Sequence, residues 1–254
     1  MKLMNVDASE VAKSVQGFDY SHIEFDKLGA PEYTIVAIVT DKSGSVSEFK
    51  TELENINKTC VESCQKSPKA ENLLIRSTAF NGIDGIEELH GFTLLSAIDI
   101  NQYDGSIEAD GMTPLYDATL DGIDTVLDYS KKLYDRQYFC NAIVFVITDG
   151  IENSSHSGSV SKIKDAISKI KKGEMLESFT SVLIGVGTED DQVKDFLENF
   201  NKEAGFDQYV EITEATPQKL AKLAKFVSQS VSSTSQALGT QGPSQPIDIK
   251  TVTI

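Results

Sequence analysis

Cysteine and positive charge are both in short supply in this 254-residue sequence. Its only cysteines are Cys60, Cys64 and Cys140, an odd and sparse set unlike a disulfide framework. A reducing, cytoplasmic location is therefore the expectation. Lys and Arg number 23 against 39 Asp and Glu, a formal net charge of −16. That balance argues against nucleic acid, whose phosphates require clustered bases, and against an anionic membrane surface. No apolar run reaches bilayer-spanning length, and residues 1–17 lack the continuous apolar core of a signal peptide. No G-x-x-x-x-G-K-[ST] loop occurs, so any nucleotide-driven work would belong to another polypeptide. There are no internal repeats.

What is present has globular proportions, 40% hydrophobic and 24% charged. Solidly apolar runs at residues 35–39, 142–147 and 182–186 alternate with longer segments of helical period. Continuous rather than alternating hydrophobicity predicts strands covered on both faces. Residues 73–75 and 209–212 add shorter strands. Helical stripes run through Val46, Phe49, Leu53, Ile56, Cys60 and Cys64; through Leu115, Leu120, Ile123, Val126 and Leu127; and through residues 160–170, 193–200 and 220–231. Thr113-Pro114 suits the N-cap and first position of the second helix. The fold class predicted is α/β: a doubly wound, Rossmann-like, mostly parallel sheet with helices on both faces. Asn81-Gly82-Ile83-Asp84-Gly85 suits a hairpin and hence one antiparallel edge strand. Residues 1–30 read as an N-terminal arm or an extra edge strand, 31–235 as the domain, and 236–254 as a flexible tail, linker-like from Gly239 (GTQGPSQP), whose alternating residues 247–254 could instead add to a sheet edge.

Three segments carry the chemistry. Asp41-Lys42-Ser43-Gly44-Ser45 directly follows the first apolar strand, Thr148-Asp149-Gly150 follows a second, and Gly111-Met112-Thr113-Pro114 opens a helix. In an open α/β sheet, ligands bind beyond the carboxyl ends of the strands. There Asp41, Ser43, Ser45, Thr113 and Asp149 would converge two carboxylates and three hydroxyls. These are hard oxygen donors, suited to one divalent cation: Mg²⁺ first, with Mn²⁺ or Ca²⁺ as alternatives.

This constellation resembles the metal-ion-dependent adhesion site of von Willebrand factor type A domains, over roughly residues 32–232. By that resemblance Ser43 and Ser45 ligate directly, Thr113 joins or leaves as the site changes state, and Asp41 and Asp149 act directly or through water. Asn153 also fits the family's loop after the second aspartate. Val46 and Met112 depart from common family residues, and neither would be a ligand. The C-terminal stretch KLAKFVSQSVSSTSQAL resembles the bacterial or phage intracellular, tellurite-resistance (TerY-like) members. The implied function is a metal-dependent module that binds a protein partner's Asp or Glu carboxylate. A second expectation is a scaffold or co-subunit for an AAA+ ATPase or for a kinase–phosphatase stress response. Enzymatic activity is not expected, because no general base is placed by motif beside the metal.

Other residues read more plainly. Cys60 and Cys64 lie on an apolar stripe as inert thiols, His156 is a solvated loop residue, and Lys42 is surface. Asp99, Asp104, Glu108 and Asp110 form an acidic rim without the ordered spacing of a calcium loop.

Overall fold

The computed structural model describes residues 11–13, 20–213, 216–236 and 251–253. The apolar runs pair as parallel strands. β3 (Glu32–Asp41) and β6 (Phe139–Thr148) run in register from Glu32 opposite Phe139 to Thr40 opposite Ile147. Every residue of both except the first is buried. β4 (Leu73–Asn81) pairs parallel with the other side of β3. Beyond β6 come β7 (Ser178–Val186), β8 (Gln208–Ile212) and the short β9 (Thr251–Thr253), all parallel. That last pairing lies within the segment expected to be tail; residues 237–250 fall outside the described residues.

The hairpin at Asn81 forms as expected. Asn81 Oδ1 accepts the backbone N–H groups of Ile83 and Asp84, and Gly85 takes φ of 74°, a left-handed conformation glycine adopts freely. β5 (Gly85–Leu94) returns antiparallel to β4. It is not the edge, however. β2 (Ser21–Ile23) pairs parallel with it at His22, and β1 (Val11–Lys13) antiparallel with β2. Part of the segment read as an arm or extra edge strand therefore belongs to the edge of the sheet, whose order is β1-β2-β5-β4-β3-β6-β7-β8-β9. Burial explains it: Phe92 stacks on Tyr129 at 4.4 Å and meets Tyr20 edge-on at 5.6 Å, so Tyr20 brings the adjoining β2 onto β5.

The architecture is mixed α/β with a mostly parallel sheet. Alternate residues of β3 enter different cores. Val36 and Ile38 meet α1 (Lys50–Cys64) and α5 (Pro217–Gln236) through Leu53, Ile56, Leu223 and Val227. Ile35, Ala37 and Val39 join the core of α2 (Leu115–Tyr134), α3 (Val160–Lys172) and α4 (Asp191–Ala204). That two-sided burial is why the central strands are apolar at every position. Two helix starts differ from expectation. Residues 44–48 form a separate 3₁₀ turn before α1, and α2 begins at Leu115 with Pro114 in the cap position. Thr113 therefore does not cap α2.

One buried cation ties the β2–β5 side to the rest. Arg76 on β4, 2% exposed, donates to Glu88 on β5 at 2.8 Å, and to Asp121 and Thr125 on α2 at 3.0 and 3.1 Å. Glu88 in turn accepts the backbone N–H and hydroxyl of Ser21. Burial raises the Asp121 carboxyl above the usual range, and Arg76 opposes that rise. Removing one member of such a network strands the others in low dielectric. Arg76→Ala is expected to lower the unfolding free energy by about 3–5 kcal/mol, read by urea denaturation. A loss below about 1 kcal/mol, the scale of a surface pair, would show that the network holds nothing together.

Candidate functional site

Parallel register delivers the site. Because Thr40 lies opposite Ile147, Asp41 and Thr148 end their strands side by side, and the Thr148 hydroxyl donates to Asp41 Oδ2 at 2.6 Å. The backbone N–H of Ser43 donates to the other oxygen, Oδ1, at 2.8 Å. Asp41 is fully buried. From there a hydroxyl relay runs outward. Ser45 donates to Asp149 Oδ1 at 3.0 Å, which leaves the Ser43 hydroxyl to donate to Ser45 at 3.1 Å. Ser43 and Asp149 are buried, and Ser45 is exposed.

Thr113 arrives from the third segment, which is held by backbone bonds. Gly44 N–H donates to Gly111 O, Gly82 N–H to Met112 O, and Asn153 N–H to Thr113 O. The Asn153 side chain closes the last pair by accepting Thr113 N–H at 2.7 Å. Gly150 defines the centre. A Cβ placed there would stand 3.4 Å from Ser45 Oγ, 3.5 Å from Thr113 Oγ1 and 3.6 Å from Asp41 Oδ2. All five residues singled out in the sequence therefore meet around one point, and glycine leaves that point clear.

Electrostatics make the cluster costly. Burial raises the Asp41 carboxyl, partly offset by its bonds from Thr148 and Ser43. Burial, then the nearby Asp41, pushes Asp149 up to about 7, against the bond from Ser45. Two carboxylates resisting ionisation beside three neutral hydroxyls are a donor set of the right chemistry for a hard cation. Among the described residues, however, nowhere do three His, Cys, Asp or Glu side chains gather as a metal cluster. Among the described residues, the acidic side chains bonded into this hydroxyl cluster are Asp41 and Asp149.

The remaining predicted residues fall as follows. Lys42 is buried rather than surface: it bridges Asp84 at 2.8 Å and Glu87 at 2.5 Å, tying the end of β3 to the hairpin. His156 is exposed, as expected, and its backbone N–H donates to Asp117. Cys60, Cys64 and Cys140 are buried free thiols, and burial pushes Cys64 and Cys140 up to about 12. The acidic rim is engaged locally: Asp99 caps Asn101, Asp104 meets Lys58, and Asp110 accepts Gly111 N–H. The sequence reading missed Thr148 and Glu152 as site-builders. Glu152 accepts the N–H groups of Tyr116, Ser154 and Ser155, fixing the Asp149 loop against the start of α2. An acid facing a helix N-terminus was the available signal.

No family model matches the chain, and no curated protein matches it. Solved structures do. The D319A mutant of the PilB minor pilin from Streptococcus sanguinis is similar over 82% of this chain, with TM-score 0.56 and 13% identity. The SpaC pilus adhesin of Lactobacillus rhamnosus GG, in its open conformation, is similar over 85%, with TM-score 0.55 and 11% identity. Proximal thread matrix protein 1 from the mussel byssus is similar over 79%, with TM-score 0.52 and 19% identity. This chain spans 64% of the pilin's length and 32% of the adhesin's. At such identities the likeness is one of fold.

These findings correct the family expectation. The neighbours are a minor pilin, a pilus adhesin and a byssus matrix protein, no family model supports a von Willebrand factor A assignment, and no three-acid metal cluster accompanies it among the described residues. The TerY-like intracellular type, the metal-dependent carboxylate-binding module, and the ATPase or kinase–phosphatase scaffold give way with it. The physical reason is that D-x-S-x-S and T-D-G describe how loops leave parallel strands. They specify a local geometry, and a geometry alone does not name a family. None of the three neighbours is named for a catalytic activity.

The raised Asp149 has a testable consequence. The folded state holds its proton more tightly than the unfolded chain, whose ordinary value is 3.8. Its contribution is therefore full below about pH 4 and lost as pH rises through about 7. In EDTA, stability should fall across that window, and Asp149→Asn should flatten the fall by up to about 4 kcal/mol. Urea denaturation at a series of pH values reads it; identical slopes for both proteins would refute the assignment.

Proposed function

We propose that this chain is a non-catalytic adhesion domain of the kind pilus proteins carry, contacting a protein partner through the loops at the carboxyl ends of β3, β4 and β6. The observation that carries the reading is the fold likeness to a minor pilin and a pilus adhesin over more than four-fifths of the chain. In this reading the sheet is doubly wound, with α1 and α5 on one face and α2, α3 and α4 on the other. Open sheets of that design bind at the carboxyl edge, where crossovers diverge and loops are free to vary. The test is location. Antibody to this chain should label intact source cells as strongly as permeabilised ones. Labelling only after permeabilisation would overturn the adhesion role.

A second reading concerns the oxygen cluster alone. The cradle around Gly150 and the two buried carboxylates favour one hard divalent cation, Mg²⁺ before Mn²⁺ or Ca²⁺, held by Asp41, Ser43, Ser45, Thr113 and Asp149. Such an ion supplies positive charge that relieves the repulsion between Asp41 and Asp149. Titration calorimetry with Mg²⁺ should show one site per chain and a rise in melting temperature. Asp41→Ala and Thr113→Ala should each weaken it at least about tenfold. Absence of both heat and a melting shift, for all three ions, would remove the cation from this site.

A further inference from the structure

Three of the largest exposed apolar side chains stand on the loops that build the site. Ile83 at the hairpin tip is 65% exposed, Met112 beside Thr113 is 54% exposed, and Ile151 after Gly150 is 38% exposed. Scattered apolar residues on a surface mean nothing, but these come from three separate loops of one site, and the loops carrying Ile83 and Met112 are in contact. Gly82 N–H bonds to Met112 O at 2.8 Å. Gly111 lies so close to Ile83 that a Cβ there would stand 2.8 Å from its Cγ1. Gly111 also has φ of 74°, so both its conformation and its neighbour demand glycine.

Beside this patch opens a cleft of about 450 Å³, lined by Lys50, Ile83, Asp84, Glu108, Ala109 and Asp110. Its charge is mostly negative. Lys42 already satisfies Asp84, while no ion pair among the described residues engages Glu108 or Asp110. Both of those side chains belong to exposed residues. Ile83 forms part of the apolar patch and part of the cleft wall, so the two are one continuous surface.

We infer that this surface docks a protein segment presenting an arginine or lysine next to a large apolar side chain, the base entering the cleft and the apolar group covering Ile83 and Met112. The inference rests on the reading of this edge as the adhesive face and adds the chemistry of the partner. Charge complementarity selects the occupant: an acidic cleft repels phosphate and anionic headgroups, and an Arg fork matches paired carboxylates. The apolar neighbour supplies the buried area that an exposed ion pair lacks.

Panning a displayed random-peptide library against the full chain tests it. Enriched peptides should carry Arg or Lys within a few residues of Leu, Ile, Phe or Trp. When synthesised, they should bind the full chain with an affinity that falls as salt rises. Glu108→Gln with Asp110→Asn should weaken them about tenfold, and Met112→Ser by a similar factor. All three positions are exposed, and an unchanged melting temperature confirms that the fold survives. Failure to enrich any peptide, enrichment of acidic or purely apolar peptides, or indifference to the paired cleft substitutions would each overturn the inference. The antibody labelling of intact cells is read independently, so loss of this partner chemistry and loss of the adhesion role are separate results.

Discussion

The parallel, in-register pairing of β3 with β6 is the constraint on which the rest of this molecule depends. It places Asp41 and Thr148 at neighbouring strand ends and joins them by a 2.6 Å hydrogen bond. A slip of one residue would turn each apolar side chain of a strand towards the opposite core and would part Asp41 from Asp149. Both cores resist that slip, because residues 35–39 are shared between two different helix layers. The precision of the site is therefore held by burial, well below the loops where the polar atoms lie.

At the top of the sheet the same burial becomes a cost. Asp41 and Asp149 are driven towards the neutral form by desolvation, with Glu152 adding to the rise at Asp41 and Asp41 to the rise at Asp149, and the fold offsets this with donors: Thr148, the Ser43 backbone and the Ser45 hydroxyl. Stored electrostatic strain of this kind is typical of functional sites. The loops that hold it are themselves tied by backbone bonds, Gly44 to Gly111 and Gly82 to Met112, and by Asn153 bracketing Thr113. The cluster is thus framed from three sides, with Ser45 at its open margin.

Fold and motif point to different things, and their separation is instructive. The D-x-S-x-S and T-D-G segments do bring their oxygens together, yet the fold likeness, over 79–85% of the chain, is to a minor pilin, a pilus adhesin and a byssus matrix protein. A strand-end loop can supply hydroxyls and carboxylates to one spot in many proteins of open-sheet design. An adhesion role needs in addition a surface that buries area on contact. Ile83 and Met112 stand exposed on adjoining loops beside the polar cluster.

Much of this was legible in the residues alone. The apolar runs announced the central strands, and their lack of alternation announced cover on both faces, because a half-exposed strand cannot be apolar throughout. Asn81 to Gly85 announced the hairpin through its turn chemistry. The five oxygen-bearing residues could be chosen because each adjoins a readable strand or helix end. Tertiary structure decided the remainder. Lys42 was buried by Asp84 and Glu87 of a hairpin some forty residues away, and β2 was drawn onto β5 by Tyr20, Phe92 and Tyr129. Arg76 found partners on two elements, β5 and α2, and Glu152 reached back to α2. Local pattern reports what a segment must bury or expose. Which distant group satisfies it depends on how the elements pack, and three-residue strands and single buried charges carry no periodicity from which that could be read.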